Sequence, residues 1–209
     1  IPMHVNYANN GPEYLNPADP ISGFASIPRN MTCMAEKLRD AGYRTVMSGK
    51  WDVGMATPRH MPLGRGYNES LFYYHHAVDY WTSGVGDAAI GEVNVCQNRF
   101  TDLWQNDRPA TGIMDNGVYL EDALRDHSVN AIMNHDPATP LFLFHSFHLI
   151  HTPLQVPQRM IQQFNFVEYG NRGLYAAMVA YADEIVGDLV DALKTKKMWD
   201  NTILVLHAD

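Results

Sequence analysis

The chain predicts an α/β fold in which a mainly parallel sheet is sandwiched by helices, and three observations carry that prediction. Helical and strand-like periodicities alternate as helix, strand, helix, strand, helix, strand. Each strand-like run is short and apolar and ends on polar residues: SGKWD after the run at 44–48, HSFHLIH after the run at 141–147, and HAD at the end of the run at 202–207. Finally, 209 residues with 46% hydrophobic composition are ample for a buried core, and the length fits one domain or most of a larger one, so 1–209 is expected to be part or all of a single domain.

Residues 1–29 contain Pro2, Pro12, Pro17, Pro20 and Pro28 among Asn and Gly, which predicts a loop wrapping over other structure. Met34, Leu38 and Ala41 share one face of a helix closed by Gly42, and the run from Arg44 to Ser48 then reads as a strand. The stretch 49–117 is rich in Gly, Pro, Asn and aromatic residues without a sustained period. Long loops and short hairpins are expected there, and loops of that length are usually functional. A helix is expected from Tyr119 to His135, with Leu120, Leu124, His127 or Ser128, and Ala131 along its stripe. Leu141 to Phe147 reads as a buried strand behind Pro140. Leu174, Met178, Tyr181, Ile185, Leu189 and Ala192 keep the helical period through a long helix whose end carries Lys194, Lys196 and Lys197, favourable for its dipole. Thr202 to His207, TILVLH, reads as the last strand.

A net charge of -8 disfavours a nucleic-acid surface and points to small or sugar-like partners. No run reaches the roughly 20 apolar residues of a membrane span. Two cysteines are too few for a disulfide framework. The sequons Asn30-Met31-Thr32 and Asn68-Glu69-Ser70 hint at a secretory route, with a lysosomal or extracellular destination.

Open parallel sheets place their sites at the strand C-termini, so one pocket could collect Lys50, Asp52, His151 and Asp209. His145, His148 and His151 mimic a metal motif, but a spacing of three on a strand running into a loop does not converge side chains as it does on a helix. Asp115-Asn116-Gly117 reads as a turn. His75, His76, Tyr80 and Trp81 in YYHHAVDYW could line a sugar-binding rim, or could equally be core.

With these segments in place the chain resembles the sulfatase family, most closely its arylsulfatase B-type members. The resemblance rests on AGYRTVMSGKWDVG, the P-x-GRGY of Pro62 to Tyr67, PLFLFHSFHLIHTPLQVP, YAAMVAYADEIVGDLVDAL and DNTILVLHAD, in the family's order and spacing. It implies an alkaline-phosphatase-like fold whose first strand, with paired carboxylates, is missing here, so that the chain reads as an internal fragment. It also implies hydrolysis of sulfate esters, on sulfated carbohydrate or aryl sulfate, by a formylglycine made from cysteine in a Cys-x-Pro/Ala-x-Arg motif, with a calcium ion polarising the sulfate. An anionic ester that gains charge in its transition state suits a divalent cation, a lysine and a histidine.

Carried over residue by residue, Lys50 touches sulfate and the formylglycine hydrate, while His151 binds sulfate and protonates the leaving oxygen. Asp209 ligates calcium. Asp52 departs from the pattern, because the family usually has histidine there to take a proton from the hydrate; a carboxylate can be a base, but it brings negative charge near an anion. Neither Cys33-Met34-Ala35-Glu36-Lys37 nor Cys96-Gln97-Asn98-Arg99 fits the nucleophile motif, so the formylglycine is expected upstream. Two rivals stay open: a non-catalytic sulfoglycan-binding protein and a phosphoesterase of the same superfold.

Overall fold

A computed structural model describes residues 19, 21, 26–75, 77–85, 100–168 and 170–208. The proline-rich stretch 1–29 therefore lies mostly outside the described residues. Its described part does lie against other structure: Asp19 is buried and accepts from the backbone N–H and guanidinium of Arg29, and the Ile27 N–H donates to Val53 O at 3.1 Å.

Helix α1 (Met34–Asp40) leads into strand β1 (Arg44–Lys50). Cys33 precedes the helix, and its N–H donates to the Glu36 carboxylate at 2.6 Å, satisfying a backbone group that the first turn leaves orphaned. Between β1 and β2 (Glu69–Tyr73) the chain makes two single 3₁₀ turns, Pro58–His60 and Leu63–Arg65. Arg65 is buried at the second. It donates to Met31 O and Cys33 Sγ and pairs with Glu36 at 3.6 Å, tying GRGY to α1. Short strands β3 (Gly84–Val85), β4 (Phe100–Thr101), β5 (Trp104–Gln105) and β6 (Arg108–Pro109) follow, then α2 (Leu120–Met133), β7 (Leu141–Ser146), α3 (Gln158–Gln163) and α4 (Gly170–Thr195).

The main sheet has the order β6-β5-β2-β1-β7, with β1 parallel to both β2 and β7, and β5 and β6 antiparallel at the edge. Side chains alternate between its faces as a pleat requires. Leu71, Tyr73, Leu141 and Leu143 join the large core under α2 and α4, whereas Met47, Phe72 and Phe142 face the smaller core that α1 closes with Ala35. Helices on both faces of a mainly parallel sheet are what the alternating pattern predicted.

Three expectations change. The stretch 49–117 holds the expected short hairpin in β5 and β6, but it also contains β2, a parallel strand of the main sheet. The long helix begins at Gly170, a turn before Leu174. The run 202–207 belongs to neither described sheet, and Ile203, Val205 and Leu206 are 91%, 74% and 70% exposed. A β-competent run becomes a strand only when a neighbour supplies its ladder, and no described strand lies beside this one.

Candidate active site

The site begins with Gly49. Its φ is +109°, and a Cβ there would lie 1.7 Å from Ser146 O, so only glycine lets β1 pass this close to β7 at the end of their ladder. Trp51 then turns into the α1-side core. Its indole N–H faces the carbonyls of Gly54 (2.8 Å) and His60 (3.0 Å), and its ring meets Tyr67 edge-on. With the tryptophan anchored inward, its two neighbours project otherwise. Lys50 Nζ lies 3.4 Å from Asp52 Oδ2, the lysine partly buried and the aspartate exposed, with Asp52 in the left-handed region at φ +43°. Their backbone is held by β2: Trp51 N–H donates to Tyr73 O and Asp52 N–H to Tyr74 O.

The next strand of the sheet supplies the second half. β7 ends at Ser146 and leads into His148, which is buried, and His151, which is exposed. His148 Nε2 accepts from Val78 N–H at 3.2 Å. Burial first, and then the positive charges of His151 and Lys50, push the His148 pKa down to about 3. It is a neutral structural histidine at physiological pH; the His151 ring lies 5.6 Å from its own, and Lys50 ends the strand that pairs with β7. His151 Nδ1 lies 2.8 Å from Thr152 O, which assigns the Nδ1 proton to that carbonyl.

The other sequence candidates divide. His75 is tied to buried Asp102, whose carboxylate takes His75 Nδ1 at 2.8 Å and the Tyr74 and His75 backbone N–H groups. Trp81 is 37% exposed with its ring 5.0 Å from Tyr119. His76 and Asp209 lie outside the described residues. His145 is engaged with Ser128 Oγ at 2.8 Å, and no group of three or more His, Cys, Asp or Glu able to hold a metal occurs among the described residues. Asn116 and Gly117 both have positive φ, as the turn reading required. Cys33 is half-buried under Arg65 at the start of α1, and burial raises its thiol pKa. A cavity of about 740 Å³ lined by Arg44, Glu69, His127 and His135 sits at the opposite, N-terminal end of β1, away from Lys50.

Sequence reasoning missed the residues that hold the 148–155 loop. Glu121 accepts the N–H groups of His148 and Leu149, Tyr80 OH donates to the carbonyls of His148 and His151, and Gln155 links Tyr80, Tyr119 and Asp79. An acid in the first turn of a helix is expected for the dipole alone, so nothing local marked Glu121.

A mainly parallel sheet with helices on both faces, its β1 ending at Lys50 and its β7 leading into the 148–151 loop, is an alkaline-phosphatase-like arrangement. The chain belongs to the sulfatase family, whose model, described as Sulfatase, matches residues 2–209. It is similar to Arylsulfatase J of Mus musculus, at 31% identity over 88% of this chain and 29% of the mouse protein. It is also similar to an arylsulfatase of Klebsiella aerogenes, at 27% identity over 86% of this chain and 47% of that protein. The crystal structure of Ps i-CgsB in complex with k-i-k-neocarrahexaose superposes with a TM-score of 0.71 at 27% identity, covering 85% of this chain and 39% of the other. The chain thus spans less than half the length of each of these relatives.

Proposed function

We propose that the protein carrying this chain hydrolyses sulfate esters, with a sulfated carbohydrate as its substrate class. The observation that carries the reading is that Lys50 ends β1 while the paired strand β7 leads into the loop that carries His151. The kinship with arylsulfatases supports the reaction type, and the sugar ligand of Ps i-CgsB supports the substrate class.

In this reading the Lys50 ammonium balances the ester's negative charge, whose distribution shifts toward the leaving oxygen as the S–O bond breaks. His151 Nε2 gives that oxygen a proton, while Nδ1 stays on Thr152 O. Asp52, paired with Lys50, accepts a proton from the attacking hydroxyl. His75 and Trp81 flank the approach, the indole offering a flat face to a sugar ring.

Calcium and a formylglycine nucleophile belong to the reading as expectations of the resemblance. The described residues offer no set of clustered carboxylates of the kind a hard, oxygen-loving cation requires, and Asp209 lies outside them, so no step here runs through the ion. A secretory route, to a lysosomal or extracellular compartment, is part of the same proposal and rests on the two sequons alone.

The test is a panel of sulfated sugars, a nitrophenyl sulfate and matched phosphate esters, assayed with the full-length protein. Release of sulfate from a sugar, with phosphate esters turned over far more slowly, is the expected result. Preference for phosphate would establish the phosphoesterase rival, and binding without turnover the sulfoglycan-binding one.

A further inference from the structure

Glu121 is a costly residue where it stands. It is fully buried in the first turn of α2, and its Oε2 finds no hydrogen-bond partner among the described residues. Burying a carboxylate is expensive, and an apolar side chain of similar volume often stabilises a core as well or better. Packing therefore does not account for it. What the carboxylate does is geometric: Oε1 accepts the N–H of His148 at 2.8 Å and of Leu149 at 3.0 Å, two consecutive amides where the chain leaves β7. One oxygen shared by two adjacent N–H groups fixes the direction of both peptide planes.

Tyr80 closes the same loop from the other side. Its hydroxyl lies 3.0 Å from both His148 O and His151 O, and the His151 N–H donates to His148 O at 2.9 Å, so the hydroxyl grips a turn already closed on itself. The Tyr80 ring packs on the His148 ring at 4.1 Å and on Tyr119 at 5.3 Å, and Tyr119 directly precedes α2. The exposed imidazole of His151 thus rises from a backbone pinned by buried groups of two other segments.

We propose that Glu121 and Tyr80 are positioning residues for His151, holding the 148–151 turn so that the imidazole meets the leaving oxygen of the ester. The inference rests on the sulfatase reading. It predicts that loosening the turn harms proton delivery more than binding or sulfate contact, and proton delivery matters most for a poor leaving group.

The experiment compares a sugar sulfate with 4-nitrophenyl sulfate, whose phenolate leaves without much help, using the full-length protein. Glu121→Ala and Tyr80→Phe are each expected to lower kcat on the sugar sulfate by about 10- to 100-fold, with a loss within about threefold on the nitrophenyl ester. Glu121→Gln, whose amide oxygen can accept the same two N–H groups, should recover most of that loss. Combined with His151→Ala, Glu121→Ala should add little, because its effect passes through the missing imidazole. If Glu121→Ala does not fold, Tyr80→Phe and Glu121→Gln carry the comparison. An active parent whose variants lose equally on both esters, or whose losses add to that of His151→Ala, overturns the inference alone. A parent inactive on both esters overturns the hydrolase reading, and this inference with it.

Discussion

At the scale of single residues, the neighbours GKWD have separable jobs. Lys50→Ala and His151→Ala in the full-length protein should each lower kcat/KM by at least about 100-fold, the scale of one charge-stabilising contact in a dry pocket, with unfolding transitions near the parent's. Near-parental activity in either variant would remove that residue from the site. Gly49→Ala should be worse than its size suggests. The methyl group meets Ser146 O in a backbone conformation alanine resists, so about 2 kcal/mol or more of stability is expected to go, along with activity, although the methyl touches no substrate. A thermal melt beside the assay checks this. Asp52 asks for a careful choice of variant: at φ +43° alanine would add strain, whereas asparagine tolerates the left-handed region. Asp52→Asn should bind a sulfated ligand about as well as the parent while turning it over slowly. Turnover at the parental rate would make Asp52 a loop residue that only partners Lys50.

At the scale of elements, what could be read from the sequence was what burial writes into it. Helices α2 and α4 announce themselves because Leu120, Leu124, Met178, Tyr181 and Ile185 must all reach one core. Strand β7 shows itself by the apolar run LFLF, and β1 by a short β-branched run closed by Gly49. β2 escaped because ESLFY is five residues long, buried on both faces and set among Asn, Gly and Pro, so it shows neither alternation nor clean borders. Lys50 and His151 were visible through their motifs, whereas Glu121 and Tyr80 acquire their role only when the fold brings α2 and the 77–80 segment to the 148–151 turn. The error at 202–207 was of the opposite kind: the propensity was read correctly, but pairing is not a local property. That run carries a prediction. With Ile203, Val205 and Leu206 exposed and no described strand on the far side of β7, the isolated 209-residue chain should self-associate and bind a hydrophobic dye. Lysine at 203 and 205 should reduce both effects, as light scattering would show, and a monodisperse, dye-negative parent chain would contradict the idea.

At the scale of the whole molecule, buried ionisable groups set how stability follows pH, and their signs oppose. Burial lowers His145 to about 4 and His148 to about 3 from an ordinary 6.5, and it lowers His127 as well, against the pull of Glu69. The unfolded chain takes up protons on these imidazoles below pH 6.5 while the folded one does not, so their contribution is lost as pH falls. Glu121 is raised from 4.5 to about 7 by burial, which its two backbone N–H bonds only partly offset. The folded chain holds that proton below pH 7 and the unfolded chain only below 4.5, so its contribution is complete below 4.5 and lost as pH rises through 7. For Glu121, His145 and His148 each such difference between the folded and unfolded chain is worth on the order of a few kcal/mol. Around pH 5 His145 and His148 together outnumber the glutamate by about one proton, so stability should fall on acidification there by about 1.4 kcal/mol per pH unit. Replacing the glutamate removes the group among the described residues that opposes this fall. Glu121→Gln should therefore be more stable than the parent near pH 8, where the parent buries a charge, and should lose stability more steeply below pH 6.5, with its slope larger by about one proton. Urea unfolding from pH 5 to 8 measures both quantities. Parallel curves for parent and variant would mean that Glu121 is ionised throughout this range and that the buried carboxylate is tolerated as a charge.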